Sequence, residues 1–262
     1  MAKYAIRLVA LVYLLFLLAL PVGLVGWRTF ENGIVPVVES LSSPEAMHAF
    51  QITIVVAVWA VVINTIFGVG MAVLLVRHRF PGKRLLNATI DLPLAVSPVV
   101  VGLALILVYG RFSPVGGWLD ERGVQIIFST PGMVLATVFV SLPLVVRAVE
   151  PVLAEMGIEQ EQAAHTLGAS GVQTFRRITI PGIRAALIYG VVLCLARALG
   201  EYGAIAVVSG RLVGQTQTLT LFVEERFQNF QESDAFAAST ALALLAVLTL
   251  VVSKLLRPKD AD

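Results

Sequence analysis

The chain has 262 residues, of which 58% are hydrophobic and 14% charged, too little polar cover for a water-soluble fold of this length. Its net charge of +2 reflects basic residues gathered in a few loops and points to no nucleic-acid surface. One cysteine, Cys194, rules out an intrachain disulfide, and His48, His78 and His165 fall in separate loops without metal-ligand spacing, so no metal and no cofactor is expected.

Apolar runs long enough to cross about 30 Å of hydrocarbon at about 1.5 Å per residue recur along the chain. They predict an all-α integral membrane protein with spans at residues 8–27, 50–76, 92–110, 131–146, 185–208 and 236–256. The first span follows Lys3 and Arg7, but its uncharged run exceeds the roughly 7–15 residues of a signal-peptide core, so it reads as a retained helix. In the second, Asn64 and the pair Gly68 and Ala72 read as helix-packing features. The third holds Pro93, Ser97 and Pro98, and the fourth Pro143. Proline frees carbonyls that neighbours, side chains or water must satisfy, so such helices line cavities or simply kink, and Ser97 is placed to satisfy one of them. Asp91 is expected in solvent at the start of the third span.

The fifth span departs furthest from what lipid tolerates, because Arg197 and Glu201 lie near its middle. At a spacing of i and i+4 the two side chains meet on one helix face. Two readings stay open: the pair locks this helix to its neighbours, or Arg197 lends positive potential to an anion path while Glu201 holds it in place. Gly200 and Gly203 flank the pair and allow a close backbone approach there or let the helix flex. Between the fifth and sixth spans, Leu219, Phe222, Val223, Arg226, Phe227 and Phe230 recur at helical spacing and predict an interfacial helix whose apolar face packs on the bundle.

Lys and Arg set the orientation. The N-terminus, the loop after the second span, the region after the fourth and the C-terminus hold thirteen, and the other three loops hold five. Both termini and the segment before the fifth span are therefore expected in the cytoplasm. That segment runs Glu161-Gln-Ala-Ala-His-Thr-Leu-Gly168, and after nine more residues, Phe175 among them, reaches Ile178-Thr-Ile-Pro181. Residues 160–167 can form a short helix, Gly168 a left-handed break, and residues 172–180 a second helix before Pro181 opens the next span.

Two alanines, a glycine four residues after the second, nine residues and then Ile-x-Ile-Pro resemble the EAA loop of ABC importer permeases, with the family's Glu position falling on Gln162 and Glu161 one place earlier. The run Arg197-Ala-Leu-Gly-Glu-Tyr-Gly203 is similar to a signature of the oxyanion permeases, and residues 207–221 look like the W-type permease of the sulfate/thiosulfate importer. The resemblance covers roughly residues 50–256. It implies a type I ABC importer permease fold with six transmembrane helices and both termini cytoplasmic. In it, 1–49 is a first helix and outer loop, 50–256 the permease core with a coupling loop at 155–182, and 257–262 a tail. It implies a multi-pass protein of the bacterial inner membrane, and no enzyme in itself: a partner subunit hydrolyses ATP, in keeping with the lack of a G-x-x-x-x-G-K-[ST] stretch. The implied partners are a T-type permease, an ATP-binding cassette ATPase dimer and a periplasmic sulfate-binding protein. Glu161, Gln162, Ala163, Ala164, Gly168, Phe175 and Pro181 would couple to the ATPase, and Arg197, Glu201, Ser97 and Pro98 would border the translocation pathway. Molybdate, tungstate or phosphate remains an alternative substrate, and a stand-alone secondary anion carrier a different class of function.

Overall fold

The computed structural model describes residues 2–256, and the 257–262 tail lies outside them. Among the described residues every regular element is helical. The first span comprises α1 (Ala2–Leu14), a wide π turn (Leu15–Ala19) and α2 (Leu20–Phe30). A short α3 (Ile34–Leu41) leads into α4 (Pro44–Arg77), which Ser43 caps by accepting the Ala46 N–H. The region expected as the third span is a bent pair, α5 (Lys83–Ala95) and α6 (Pro98–Tyr109), at 114° to one another. It is followed by α7 (Pro114–Asp120) and the long α8 (Thr130–Glu155).

The segment after α8 folds as α9 (Glu159–Thr166), α10 (Gly171–Thr174), a second π turn (Phe175–Thr179) and α11 (Ile180–Gly182). Then come α12 (Arg184–Leu199), α13 (Gly203–Val208), α14 (Leu219–Gln228) and α15 (Glu232–Leu256). Four helices are long and apolar enough to cross a membrane, and the count reaches six if each of two bent pairs is one span.

The core is built on α4, α8 and α12. Asn64 of α4 meets Ser141 of α8, and Gly68, one turn on, packs against the Val145 side chain, so the two helices run in the same direction. Gly190 of α12 lies against Val145 and Ala148, while Cys194, a turn later, reaches back to Asn64, so α12 runs opposite to α8. Asn64 is fully buried and donates to the Val138 carbonyl (3.1 Å) and to Ser141 Oγ (2.9 Å), joining α4 to α8. This is the packing role expected of it. Such polar contacts between membrane helices contribute about 0.6 kcal/mol each. Beside α12, Ala49 and Ala57 of α4 cluster with Ala238 and Leu245 of α15, which runs parallel to α4. Thr29 at the end of α2 bonds the Phe236 carbonyl (3.0 Å) and the Thr240 hydroxyl (2.7 Å) at the start of α15.

Several boundaries differ from the sequence expectation. The fourth span extends to Glu155 rather than residue 146, so Arg147 belongs to a helix and not to a loop. The third begins at Lys83, which places Asp91 inside α5 and in contact with Arg147 instead of free in solvent. The helix α14 does bury Leu219 and Phe222, but Phe227 and Phe230 are exposed, and Phe230 lies past the helix end at Gln228 with a left-handed φ of 59°.

Candidate functional site

The α9–α11 segment folds as helix, bend, helix. Gly168 sits at φ +84° just after α9, a conformation glycine adopts without the strain a side chain brings. Ser170 and Gln173 then form a reciprocal capping box that starts α10. That S-x-x-Q spacing is a helix-start signal legible in the sequence beside the glycine. Pro181 lies in α11, two residues before the break at Ile183, and the two halves on either side of that break differ by 73°.

This segment shows two unlike faces. Gln162 and Ala163 are exposed, as are the large apolar side chains of Leu167, Val172 and Phe175. A cluster of exposed apolar groups on a polar segment marks an interaction surface. Glu161 turns the other way. Its Oε1 accepts from Arg77 Nη2 (3.2 Å) at the end of α4 and from Thr179 Oγ1 (2.8 Å) in the second π turn, and its Oε2 lies 3.0 Å from Arg77 Nε. Ala164 is half-buried between these faces. Glu161 and Gln162 are thus neighbours in sequence with opposite environments.

The second set of candidate residues lies at two helix breaks that face each other. Between α5 and α6 the backbone is extended at Val96 and Ser97, as expected before Pro98. The Ser97 hydroxyl forms no cap on α6. Between α12 and α13 the chain leaves helical geometry after Leu199 and resumes at Gly203. A Cβ on Gly203 would lie 3.0 Å from Pro98 Cβ, and one on Gly102 would lie 2.8 Å from Val207 Cβ and 2.9 Å from the Ala204 carbonyl. Glycines at both crossings let α6 and α13 touch backbone to backbone, which brings Ser97, Pro98, Gly200 and Glu201 to one region.

Arg197 and Glu201 do not share a continuous helix, contrary to expectation. The pair spans the break: Arg197 is in the last turn of α12, and Glu201 follows Gly200. The contact survives at 3.1 Å between Arg197 Nη2 and Glu201 Oε2, off the geometry of a hydrogen bond. The side chains differ sharply in exposure, 42% for Arg197 and 1% for Glu201. Glu201 Oε1 accepts the Ala204 N–H (3.0 Å), so the carboxylate caps α13 with one oxygen and faces the guanidinium with the other. Thr220 Oγ1 adds a bond to the Glu201 carbonyl (3.0 Å), tying the break to α14. The arrangement holds a half-exposed cation beside a fixed, buried anion.

Arg147 is a polar hub that its position beside an apolar run concealed. Its guanidinium binds Asp91 through two bonds (2.7 and 2.6 Å), Asn87 Oδ1 (2.9 Å) and Glu150 (2.5 Å), joining α8 to α5. The fork of an arginine matched to one carboxylate fixes direction as well as distance. It sets α5 relative to the core just before the break at Ser97.

Comparison with known proteins agrees with this architecture. Residues 64–259 match the model of the family described as binding-protein-dependent transport system inner membrane component. The sulfate transport system permease protein CysW of Synechocystis sp. is 47% identical over 98% of this chain and 93% of that protein. The sulfate transport system permease protein CysT of Escherichia coli is 34% identical over 92% of this chain and 87% of that one. A chain of a bacterial ABC transporter involved in the import of the acidic polysaccharide alginate superposes with a TM-score of 0.81, covering 100% of this chain and 96% of its own length at 16% identity, a likeness of fold. The molecule is a multi-pass membrane protein with the fold of type I ABC importer permeases, and it belongs to the family of binding-protein-dependent transport system inner membrane components.

Proposed function

We propose that this chain is the W-type membrane subunit of an ATP-driven importer that carries sulfate and thiosulfate across the bacterial inner membrane. The observation that carries the reading is its 47% identity to a CysW protein along nearly its whole length, against 34% to a CysT protein. Its partners are a T-type permease, a dimer of ATP-binding cassette subunits and a periplasmic sulfate-binding protein. ATP is hydrolysed by the cassette subunits, and this chain has no nucleotide site of its own. Six crossings with both termini in the cytoplasm are supported by α4, α8 and α15 running one way and α12 the other, as spans two, four, six and five should, and by the distribution of Lys and Arg.

In this reading the exposed face of α9 and α10, with Gln162, Ala163, Leu167 and Phe175, docks on the ATPase, and Gly168 and Pro181 shape it. Closure of the ATPase dimer on ATP opens the bundle outward to receive the anion, and hydrolysis returns it inward. The half-exposed Arg197, held by Glu201 beside the Ser97 and Pro98 break, supplies positive potential along the path. A single guanidinium does not replace the full hydration of a dianion, so the passage stays hydrated. Affinity purification of the tagged chain from its native membrane in mild detergent, followed by mass spectrometry, tests the assembly: co-purification of an ATPase and a second sulfate-type permease supports it, and isolation without any ATPase sinks it.

A further inference from the structure

The α9–α11 segment is attached to the bundle by its own chain at Met156 and Ile183, and in sequence it is remote from α4. An ion pair nevertheless joins its first helix to α4. Arg77, the last residue of α4, and Glu161 of α9 are paired through both carboxylate oxygens, with side chains only 12% and 16% exposed. The same carboxylate receives the Thr179 hydroxyl, and Thr179 is 4% exposed. Three separate segments therefore meet at one carboxylate: the end of a 34-residue helix, the first turn of α9, and the π turn that leads to α12. A second tie closes the far side, where Met156 Sδ lies so close to Gly182 that a Cβ there would sit 2.4 Å from the sulfur.

We propose that Glu161 is a positioning residue rather than an ATPase contact: it clamps α9 to Arg77, so that displacement of α9 moves α4 along with α12. The inference rests on the reading of α9 as the ATPase-docking element and deepens it. The physical argument is one of linkage. A force applied to the exposed face of α9 reaches α12 through the covalent chain of α10 and α11, but it reaches α4 only through noncovalent contacts, and an ion pair shielded from water is the stiffest of these. Because α4 and α8 pack in parallel along their length, a grip on Arg77 is a grip on the core. A side chain engaged on two partners and turned from solvent is also poorly placed to meet a second protein, whereas its neighbour Gln162 is exposed.

The test uses the whole reconstituted complex with its binding protein. Glu161→Gln, Arg77→Gln and the double variant are assayed for ATP hydrolysis and for anion uptake in the same vesicles, and the distance between spin labels at Thr166 and Leu74 is measured with and without nucleotide. The clamp predicts that each single variant still recruits the ATPase and hydrolyses ATP, that uptake per ATP falls at least about fivefold, and that the double variant is no worse than either single one. It also predicts a label distance that is narrow in the unmodified complex in both states and broadened in Glu161→Gln. Unchanged uptake per ATP, additive effects of the two changes, or loss of ATPase recruitment in Glu161→Gln alone overturns the clamp. Failure of the broader reading has a different signature, since the unmodified complex would then show no ATP-driven uptake while the label distances still report on the clamp.

Discussion

Replacing Glu201 separates the two readings of the buried pair. Glu201→Gln keeps an amide oxygen that can accept the Ala204 N–H, so the cap on α13, worth about 0.5–2 kcal/mol, is retained. What it removes is the ion pair, and with the Arg197 side chain 42% exposed that pair contributes less than about 1 kcal/mol. An amide is also less costly than a carboxylate to hold at 1% exposure, which offsets part of the loss. The Gln variant should therefore unfold within about 1 kcal/mol of the unmodified chain. Glu201→Ala loses the cap and leaves a void at a fully buried site, at a combined cost of about 2 kcal/mol or more. Function should follow a different order: with no anion to hold Arg197, uptake by the Gln variant falls by about threefold to fivefold, the scale of an ion pair worth just under about 1 kcal/mol. The assay is denaturant unfolding in mild detergent alongside uptake in proteoliposomes. A Gln variant that unfolds as readily as the Ala variant, or one that transports at the full rate, refutes the argument.

Three further changes have defined outcomes. Gly168→Leu forces a branched side chain into φ +84°, at about 1–2 kcal/mol for that residue, and should abolish co-purification of the ATPase while the bundle remains folded; normal recruitment contradicts the role given to the bend. Gly102→Val puts a Cβ 2.8 Å from Val207 Cβ and 2.9 Å from the Ala204 carbonyl, so overpacking at the α6–α13 crossing should lower stability by about 1–3 kcal/mol, read from the unfolding midpoint. Arg147→Gln gives up the two bonds to Asp91 and the contact to Glu150, and α5 should become markedly more accessible to protease at the Lys83 end; equal protection would show that packing alone holds it.

Much of this architecture was readable in the chain because membrane burial writes long apolar runs and Gly168 marks its own turn. The bend after α9 is a backbone requirement, and a backbone requirement shows at a single residue. The break at Gly200 was hidden for a physical reason: Arg and Glu four apart suit a helix face, and the same spacing also closes across a helix end when the glutamate turns to cap the next helix. Arg147 was assigned to a loop because a charge ends an apolar run, although arginine is tolerated inside a helix once Asp91 and Glu150 are in reach. The Glu161 contact depends on the approach of Arg77, 84 positions earlier, a distance over which periodicity carries no information.

The most direct measurement is uptake of radiolabelled sulfate by proteoliposomes containing this chain, a T-type permease, the ATPase and the sulfate-binding protein, omitting one component at a time. The account predicts accumulation that needs internal ATP, the binding protein and this chain together. Uptake by this chain alone under an ion gradient, or ATP-driven uptake of molybdate with none of sulfate, contradicts it.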